Sequence, residues 1–361
     1  MRVLVAMSGG VDSSMTAALL VDAGHDVTGV HLKMAGTDGD ASAATGRGCC
    51  TLDDARDARR VADTLGIPCY VWDLGEPFRE RVVDDFVAEY AAGRTPNPCI
   101  RCNERVKYTA LLSRARAVSF DALATGHHVR LDRDPDRGRW RLRRPVDVGK
   151  DQTYVLYMAG QDQLAHTLWP AGEHTKADLR AMAQQRGLAT ASKPDSHDIC
   201  FIPDGDVGAF LRPRLGQRAG AFVDPQGQVV GRHSGAYQFT VGQRRGLGLS
   251  GLSEPMYVVA IEGSTVHVGP RSHLETGELD ADGASWVAGH PPANGAGLAA
   301  QVRSRGAALP CVVDDLGHAL TGPRIRVRFT GERPVGVAPG QAVVLYDGDE
   351  CLGGATIAAT R

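Results

Sequence analysis

The 361-residue chain has no apolar run approaching the length of a membrane span. No membrane partner is expected. It also lacks the charged-then-apolar opening of a secretory leader: "MRVLVAMSGG" reaches glycine after a few apolar residues and reads as a first strand. A soluble cytoplasmic enzyme is the expectation. Lysine is scarce, with only five among the 40 basic residues, which leaves 35 Arg. Arg suits bidentate phosphate contacts better than Lys does, although a GC-rich genome produces the same bias. Charge of one sign is lacking too. The net value of −2 excludes a surface basic throughout, yet it hides a local excess, because "RLDRDPDRGRWRLRR" from Arg130 to Arg144 carries seven Arg against three Asp. That stretch reads as a face for a polyanion or as a solvated hairpin, and taken alone the hairpin is favoured.

A disulfide framework is lacking as well. The eight cysteines (Cys49, Cys50, Cys69, Cys99, Cys102, Cys200, Cys311 and Cys351) are scattered over a long chain, which argues for reduced thiols. Lone ones such as Cys69 and Cys311 read as core filler. Adjacent Cys49 and Cys50 read as one buried and one exposed, neither catalytic.

What is present is alternation. "RVLVA", "DVTGVHLKM", "IPCYVWDL" and "DALATGHH" read as buried-type strands. Between them, "DSSMTAALLVDAG", "DDARDARRVADTLG", "PFRERVVDDFVAEYAAG" and "ERVKYTALLSRARAV" carry helical spacing, two of them stopped by Gly24 and Gly66. Strands alternating with helices imply an α/β domain with a parallel sheet. The Gly-rich segment Ala35–Cys50 reads as a mobile loop. After about Gly205 the texture turns to short strands with Gly and Pro turns. The expected organisation is an α/β domain over 1–205, a small β-rich central domain over 206–272 and a C-terminal β-barrel over 273–361.

"MSGGVDSS" (Met7–Ser14) joins the first strand to the first helix. Its glycines let the backbone approach an anion, its serines add hydroxyls, and the helix N-terminus favours phosphate. It is not a Walker A loop, because the Lys-Ser/Thr ending is missing. Asp12 beside phosphates makes sense as a Mg²⁺ ligand; the bland alternative is a helix cap. The string Ser-Gly-Gly-Val-Asp-Ser after a first strand is identified as the signature of the PP-loop ATP pyrophosphatases. The resemblance implies cleavage of ATP between its α- and β-phosphates, with adenylation of a carbonyl-type oxygen.

Further motifs narrow the acceptor. "RTPNPCIRCNE" (Arg94–Glu104), "ATGHHVR" (Ala124–Arg130), "GKDQTYVLY" (Gly149–Tyr157), "KPDSHDICFIP" (Lys193–Pro203) and "CLGGATI" resemble, in order and over nearly the whole chain, the bacterial tRNA-specific 2-thiouridylases. The resemblance implies that the wobble uridine of tRNAs for Glu, Gln and Lys is adenylated at its C2 oxygen and then receives sulfur from a cysteine persulfide. It implies ATP and Mg²⁺ as cofactors. The implied partners are the tRNA anticodon stem-loop and a sulfur-relay carrier protein or cysteine desulfurase. Residue by residue, Ala6, Met7, Ser8, Gly9, Gly10, Val11, Asp12 and Ser13 would hold ATP, with Leu32 on the adenine side and Gly126 touching the nucleotide. Cys102 would be the catalytic thiol and Cys200 the persulfide carrier. Pro96 and Asn97 would face the target base. His127, Lys150, Asp151, Gln152, Arg303, Arg305 and Gln341 would lie towards the tRNA. His197 stands beside the Cys200 motif.

The chemistry agrees with the motif. Oxygen on a pyrimidine C2 leaves poorly until it is adenylated, a persulfide is a soft ionisable nucleophile, and a second thiol releases the sulfur by exchange. One position departs from the family. Many relatives carry Asp where this chain has Cys99. Cys99, Cys102 and Cys200 thus form a possible iron–sulfur or zinc ligand set, against the plainer reading that Cys99 is a spare or guarding thiol. Two competing functions are a PP-loop ligase or amidotransferase acting on a small metabolite, as in argininosuccinate or GMP synthesis, and a nucleic-acid-binding protein that kept only the ATP fold.

Overall fold

The computed structural model describes residues 1–34, 51–195, 199–202, 204–250 and 254–361. Cys49, Cys50, His197 and the Gly-rich segment 35–50 lie outside the described residues. Strands β1 (Arg2–Ala6), β2 (Asp26–Lys33), β3 (Cys69–Asp73) and β4 (Ala122–Thr125) form with a short fifth strand a parallel sheet. The chain runs outward from β1 through β2 to β3, then returns to lay β4 on the other side of β1. The carboxyl ends of β1 and β4 thus flank a topological switch point, the place where open α/β sheets bind ligands. Side chains of β1 alternate faces, as the two-residue repeat of a strand requires. Leu4 enters one apolar cluster, and Val3 and Val5 enter the other.

Helix α1 (Val11–Asp22) follows β1, and α2 (Leu52–Leu65) precedes β3. Thr51 caps α2 in a reciprocal box with Asp54, and Gly66 ends it in the left-handed conformation at φ 69°. Two longer helices, α3 (75–91) and α4 (98–117), each contain a π-helical stretch. In α4 that stretch starts at Cys102 and runs to Leu111. Widened turns of this kind are rare and concentrate at functional sites.

The Arg-rich segment forms a hairpin of β5 (Arg130–Arg133) and β6 (Trp140–Arg143). It does not stand out as a basic face. Arg141 and Arg143 pair with Asp132, Arg130 and Arg143 pair with Asp349, Arg139 pairs with Asp134 and Glu350, and Arg144 pairs with Asp151. Strand β6 adds itself to the last strand of the chain, with Leu142 opposite Cys351. The hairpin therefore staples the first domain to the C-terminal one. After β7 (Thr167–Leu168), which completes the parallel sheet, helix α5 (Lys176–Gln185) follows a Thr175 cap.

The glycine-rich texture past Gly205 conceals a helix, α6 (Val207–Leu215), where strands are expected. Asp206 caps it by accepting from the Ala209 amide at 2.8 Å, and Phe210 and Leu211 pack among Phe86, Tyr90 and Phe201. That aromatic packing outweighs the local composition. Strands β8 (Gly220–Val223), β9 (Val229–His233), β10 (Tyr257–Glu262) and β11 (Thr265–Gly269) then form the small central sheet. Strands β12 (Glu278–Trp286), β13 (Ala296–Gln301), β14 (Leu309–Ala319), β15 (Gly322–Phe329), β16 (Ala342–Asp347) and β17 (Glu350–Thr360) form an antiparallel sheet closed by β12 on β17. This is the six-stranded C-terminal barrel. Cys311 and Cys351 are buried in this region, and burial pushes both thiols up to about 12, so they are inert filler. Among the described residues no helix is long and apolar enough to cross a membrane.

Candidate active site

The loop after β1 is built around two glycines. Gly9 sits at φ +74°, and a Cβ there would lie 2.5 Å from the Asp54 carbonyl oxygen at the start of α2. Only glycine meets both demands. Gly10 caps α1 in extended conformation, so the first helical amides face the loop. Ser13 Oγ donates to the Gly10 carbonyl at 3.1 Å and accepts from the Ser8 amide at 3.2 Å. Ser14 Oγ also donates to Gly10, at 2.8 Å, and is held from behind by Thr190. Met7, at the loop entrance, is buried, and its carbonyl accepts from His31 Nδ1 at 2.9 Å. Gly126, directly after β4, packs so closely that a Cβ would lie 2.6 Å from the Ser13 amide nitrogen. The structure thus brings Ala6–Ser13 and Gly126 together at the switch point. Leu32 is buried near the end of β2 in the cluster on one face of the sheet.

Asp12 is held by two residues that motif reading missed. Lys176 Nζ donates to its carboxylate oxygens at 2.8 and 2.7 Å, and His128 Nε2 donates to Oδ1 at 3.1 Å. Burial alone would raise the Asp12 pKa, but the hydrogen bonds and charge from His128 and Lys176 outweigh it and hold the carboxyl below its usual range. The "ATGHH" string does supply His128, as the residue after His127. Lys176 lies far along the chain with nothing local to mark it.

His127, two residues past β4, is buried. Its Nδ1 lies 2.6 Å from Thr125 Oγ1 and 3.3 Å from the Tyr108 hydroxyl, and Trp169 Nε1 donates to both oxygens. Burial, then the charges of Lys107 and His128, push its imidazole well below the ordinary range.

Cys102 is buried in the apolar cluster between the parallel sheet and the barrel, and Cys200 packs against that same cluster. The two cysteines, about a hundred positions apart in the chain, thus both border one apolar cluster. Asn97 caps the first turn of α4, its Oδ1 accepting from the Cys99 amide at 3.0 Å, with Pro98 at the first helical position. Pro96, Asn97, Ile100, Arg101, Tyr157 and Glu89 meet Gly340, Ala342 and Thr356 of the C-terminal domain around a small recess. Among the described residues no group of three His, Cys, Asp or Glu side chains is arranged to hold a metal. Cys99, Cys102 and Cys200 are therefore not arranged as a cluster site. For Mg²⁺, Asp12 offers one carboxylate at the phosphate loop, the provision of a cation that travels with phosphates and keeps most of its water.

The residues expected towards tRNA are spread and mostly engaged. Lys150 Nζ pairs with Asp195 at 2.9 Å, Asp151 is held by Arg144 and Thr153, and Gln152 Oε1 accepts from the His128 amide at 2.7 Å. Arg303 and Arg305 are exposed on the barrel, Arg303 donating to the Val335 and Gly336 carbonyls. Gln341 donates to the Thr95 carbonyl at 2.7 Å.

Comparison with known proteins gives three family models in chain order. They are the tRNA methyl transferase HUP domain over residues 1–204, the tRNA methyl transferase PRC-barrel domain over 208–270 and the aminomethyltransferase beta-barrel domain over 276–357. The chain is 52% identical over 364 residues to the tRNA-specific 2-thiouridylase MnmA of Thermobifida fusca, covering 100% of this chain and 96% of the relative. The chain belongs to the tRNA-specific 2-thiouridylase family. The 2-thiouridylases of Acidothermus cellulolyticus and Mycolicibacterium smegmatis are 53% and 51% identical, each over 98% or more of both chains. Cys99 is half-buried, one turn before Cys102.

Proposed function

We propose that this 2-thiouridylase performs ATP-dependent 2-thiolation of the wobble uridine in tRNAs of the Glu, Gln and Lys type. The observations that carry the reading are a glycine-built loop at the sheet's switch point and, in the same domain, two cysteines that border one apolar cluster. The family models are named for methyl transfer. Methyl transfer has no use for a triphosphate loop or for a thiol pair, whereas activation by ATP followed by sulfur transfer uses both.

In this reading the loop Ala6–Ser13, with Gly126 and Leu32, would hold ATP, and Asp12 would supply a carboxylate to the Mg²⁺ that accompanies it. The uridine C2 oxygen attacks the α-phosphorus and pyrophosphate leaves. The terminal sulfur of a Cys200 persulfide attacks C2, and AMP departs with the former C2 oxygen. The Cys102 thiolate then attacks Cys200 Sγ, which releases the sulfur on C2 as 2-thiouridine and leaves a Cys102–Cys200 disulfide. A thiol reductant restores both cysteines, and a carrier protein or desulfurase reloads Cys200. The base is received at the Pro96–Asn97 turn that opens α4, the helix that carries Cys102. It comes from a single-stranded loop, so unstacking it costs little. The domain of 1–205 carries this chemistry, and 206–272 and 273–361 receive the tRNA, with Lys150, Arg303 and Arg305 towards its backbone. Cys99 acts as a neighbouring thiol.

Pyrophosphate exchange into ATP tests the reading. Exchange that depends on bulk tRNA supports it. Exchange driven by citrulline or XMP without tRNA would replace it with a small-metabolite ligase.

A further inference from the structure

Sulfur transfer by the route above ends with Cys102 oxidised, and Cys102 is hard to reduce from outside. Its side chain is 8% exposed and belongs to the apolar cluster. Its backbone is helical, as is that of Arg101 before it, so α4 runs through it without a break. A disulfide with Cys200 therefore forms at the buried position of Cys102. Thiol–disulfide exchange depends on access to the sulfur that is attacked, and a bulky reductant lacks that access here.

Cys99 stands three residues earlier on the same helix and is only half-buried. Asn97 Oδ1 accepts from its amide at 3.0 Å, and Pro98 occupies the first helical position, so the turn that carries Cys99 is held in place. Residues three apart on a helix share a face, with Cα atoms about 5 Å apart. That lies inside the roughly 4.4–6.8 Å that a disulfide accepts. Closing so short a loop also gives the internal thiol a high effective concentration. The other described cysteines do not offer this. Cys69 packs against the other cluster of the sheet, and Cys311 lies in the barrel core. Cys351 shares the cluster of Cys102, but burial pushes its thiol up to about 12.

We propose that Cys99 is the resolving thiol of the reaction, the residue that undoes the Cys102–Cys200 disulfide. The Cys99 thiol gives up its proton and the thiolate attacks Cys102 Sγ. The Cys99–Cys102 bond forms, the Cys102–Cys200 bond breaks, and its electron pair leaves with Cys200 as a thiolate. Cys200 is thereby ready for a new persulfide before any outside reductant acts. A dithiol reductant then attacks Cys99 Sγ, the more exposed end of the pair, and supplies the two electrons that restore both thiols. The dithiol ends as its own disulfide. Oxidation is thus carried from the buried site to the surface along one helical turn. This rests on the sulfur-transfer reading above.

The test is one turnover on transcribed tRNA with Mg-ATP and without reductant. Wild type, Cys99→Ser and Cys99→Ala are first loaded with persulfide and desalted, and the products are alkylated with iodoacetamide. Trypsin cleaves after Arg101 and so places Cys99 and Cys102 on separate peptides, whose linkage mass spectrometry reads. Wild type is expected to show Cys99 joined to Cys102 and Cys200 alkylated. The variants are expected to make their first 2-thiouridine and stop with Cys102 joined to Cys200. With a protein dithiol supplied for many turnovers, they should cycle at least about tenfold more slowly than wild type. The first product also reports that each variant is folded. If wild type ends with Cys102 joined to Cys200 and Cys99 alkylated, or if the variants cycle as fast as wild type, the proposal is overturned. Iron and acid-labile sulfide bound by wild type and lost from Cys99→Ser would also overturn it, by making Cys99 a cluster ligand. If wild type forms no 2-thiouridine, the sulfur-transfer reading falls first and the proposal with it.

Discussion

Gln341 of the barrel donates to the carbonyl of Thr95, 246 positions earlier, at 2.7 Å, and the Thr95 amide donates back to Pro339 at 2.8 Å. The loop that carries Pro96 and Asn97 is therefore held from the C-terminal domain. Next to the contact, Gly340 sits at φ +90° with Arg94 Cβ and the Thr95 amide nitrogen each 2.9 Å from where its Cβ would be. Gly340→Ala is expected to cost about 1–3 kcal/mol through the left-handed backbone and the clash. Gln341→Ala is expected to raise amide hydrogen exchange at residues 94–97 and to lower the thiolation rate severalfold while leaving AMP binding unchanged. Exchange measured by mass spectrometry and single-turnover thiolation check the pair.

Gly9→Ala addresses the phosphate loop directly. The added Cβ meets the Asp54 carbonyl at 2.5 Å in a left-handed conformation, and neither backbone has a flexible end that can yield. The loop must open, at a cost of about 1–3 kcal/mol or more. Pyrophosphate exchange is expected to fall at least about tenfold, and a rate equal to wild type would show that the loop's shape is not needed.

Much of this geometry is legible in the sequence, and the reason is local. β1, α1, β2, α2 and β3 follow from period and caps within a dozen residues each, and the phosphate loop is a contiguous string. What was missed depends on distance. Lys176 reaches Asp12 across 164 positions. The Arg130–Arg144 hairpin shows its charge in the sequence but not its partners, because Asp349 and Glu350 arrive from the last hairpin of the barrel. The π-helical stretch from Cys102 carries no compositional mark. The burial of His127 beside Thr125 and Tyr108 depends on a strand and a helix placed by the whole sheet.

The hairpin staple makes its own prediction. Asp349→Ala leaves Arg130 and Arg143 without their shared carboxylate. These side chains are 29–37% exposed, so screening limits the loss to about 1 kcal/mol. Urea unfolding should register that loss at low salt and a smaller one at high salt.

Buried His127 sets a pH dependence. Its folded pKa is depressed, so its contribution to stability is full above the unfolded imidazole value of about 6.5 and is lost as pH falls from there through the folded value. Stability should decline by at most roughly 1.4 kcal/mol per pH unit from this group as pH drops below neutrality. His127→Gln should flatten that limb when urea midpoints at pH 7.5 and 5.5 are compared.

The most direct measurement is mass spectrometry of nucleosides from a transcribed Glu, Gln or Lys tRNA after incubation with enzyme, Mg-ATP and a persulfide donor. Wild type should yield 2-thiouridine at the wobble position. Cys200→Ser should yield none while still supporting tRNA-dependent pyrophosphate exchange. Normal 2-thiouridine from Cys200→Ser, or none from wild type under loading conditions, would contradict sulfur delivery through Cys200 and Cys102.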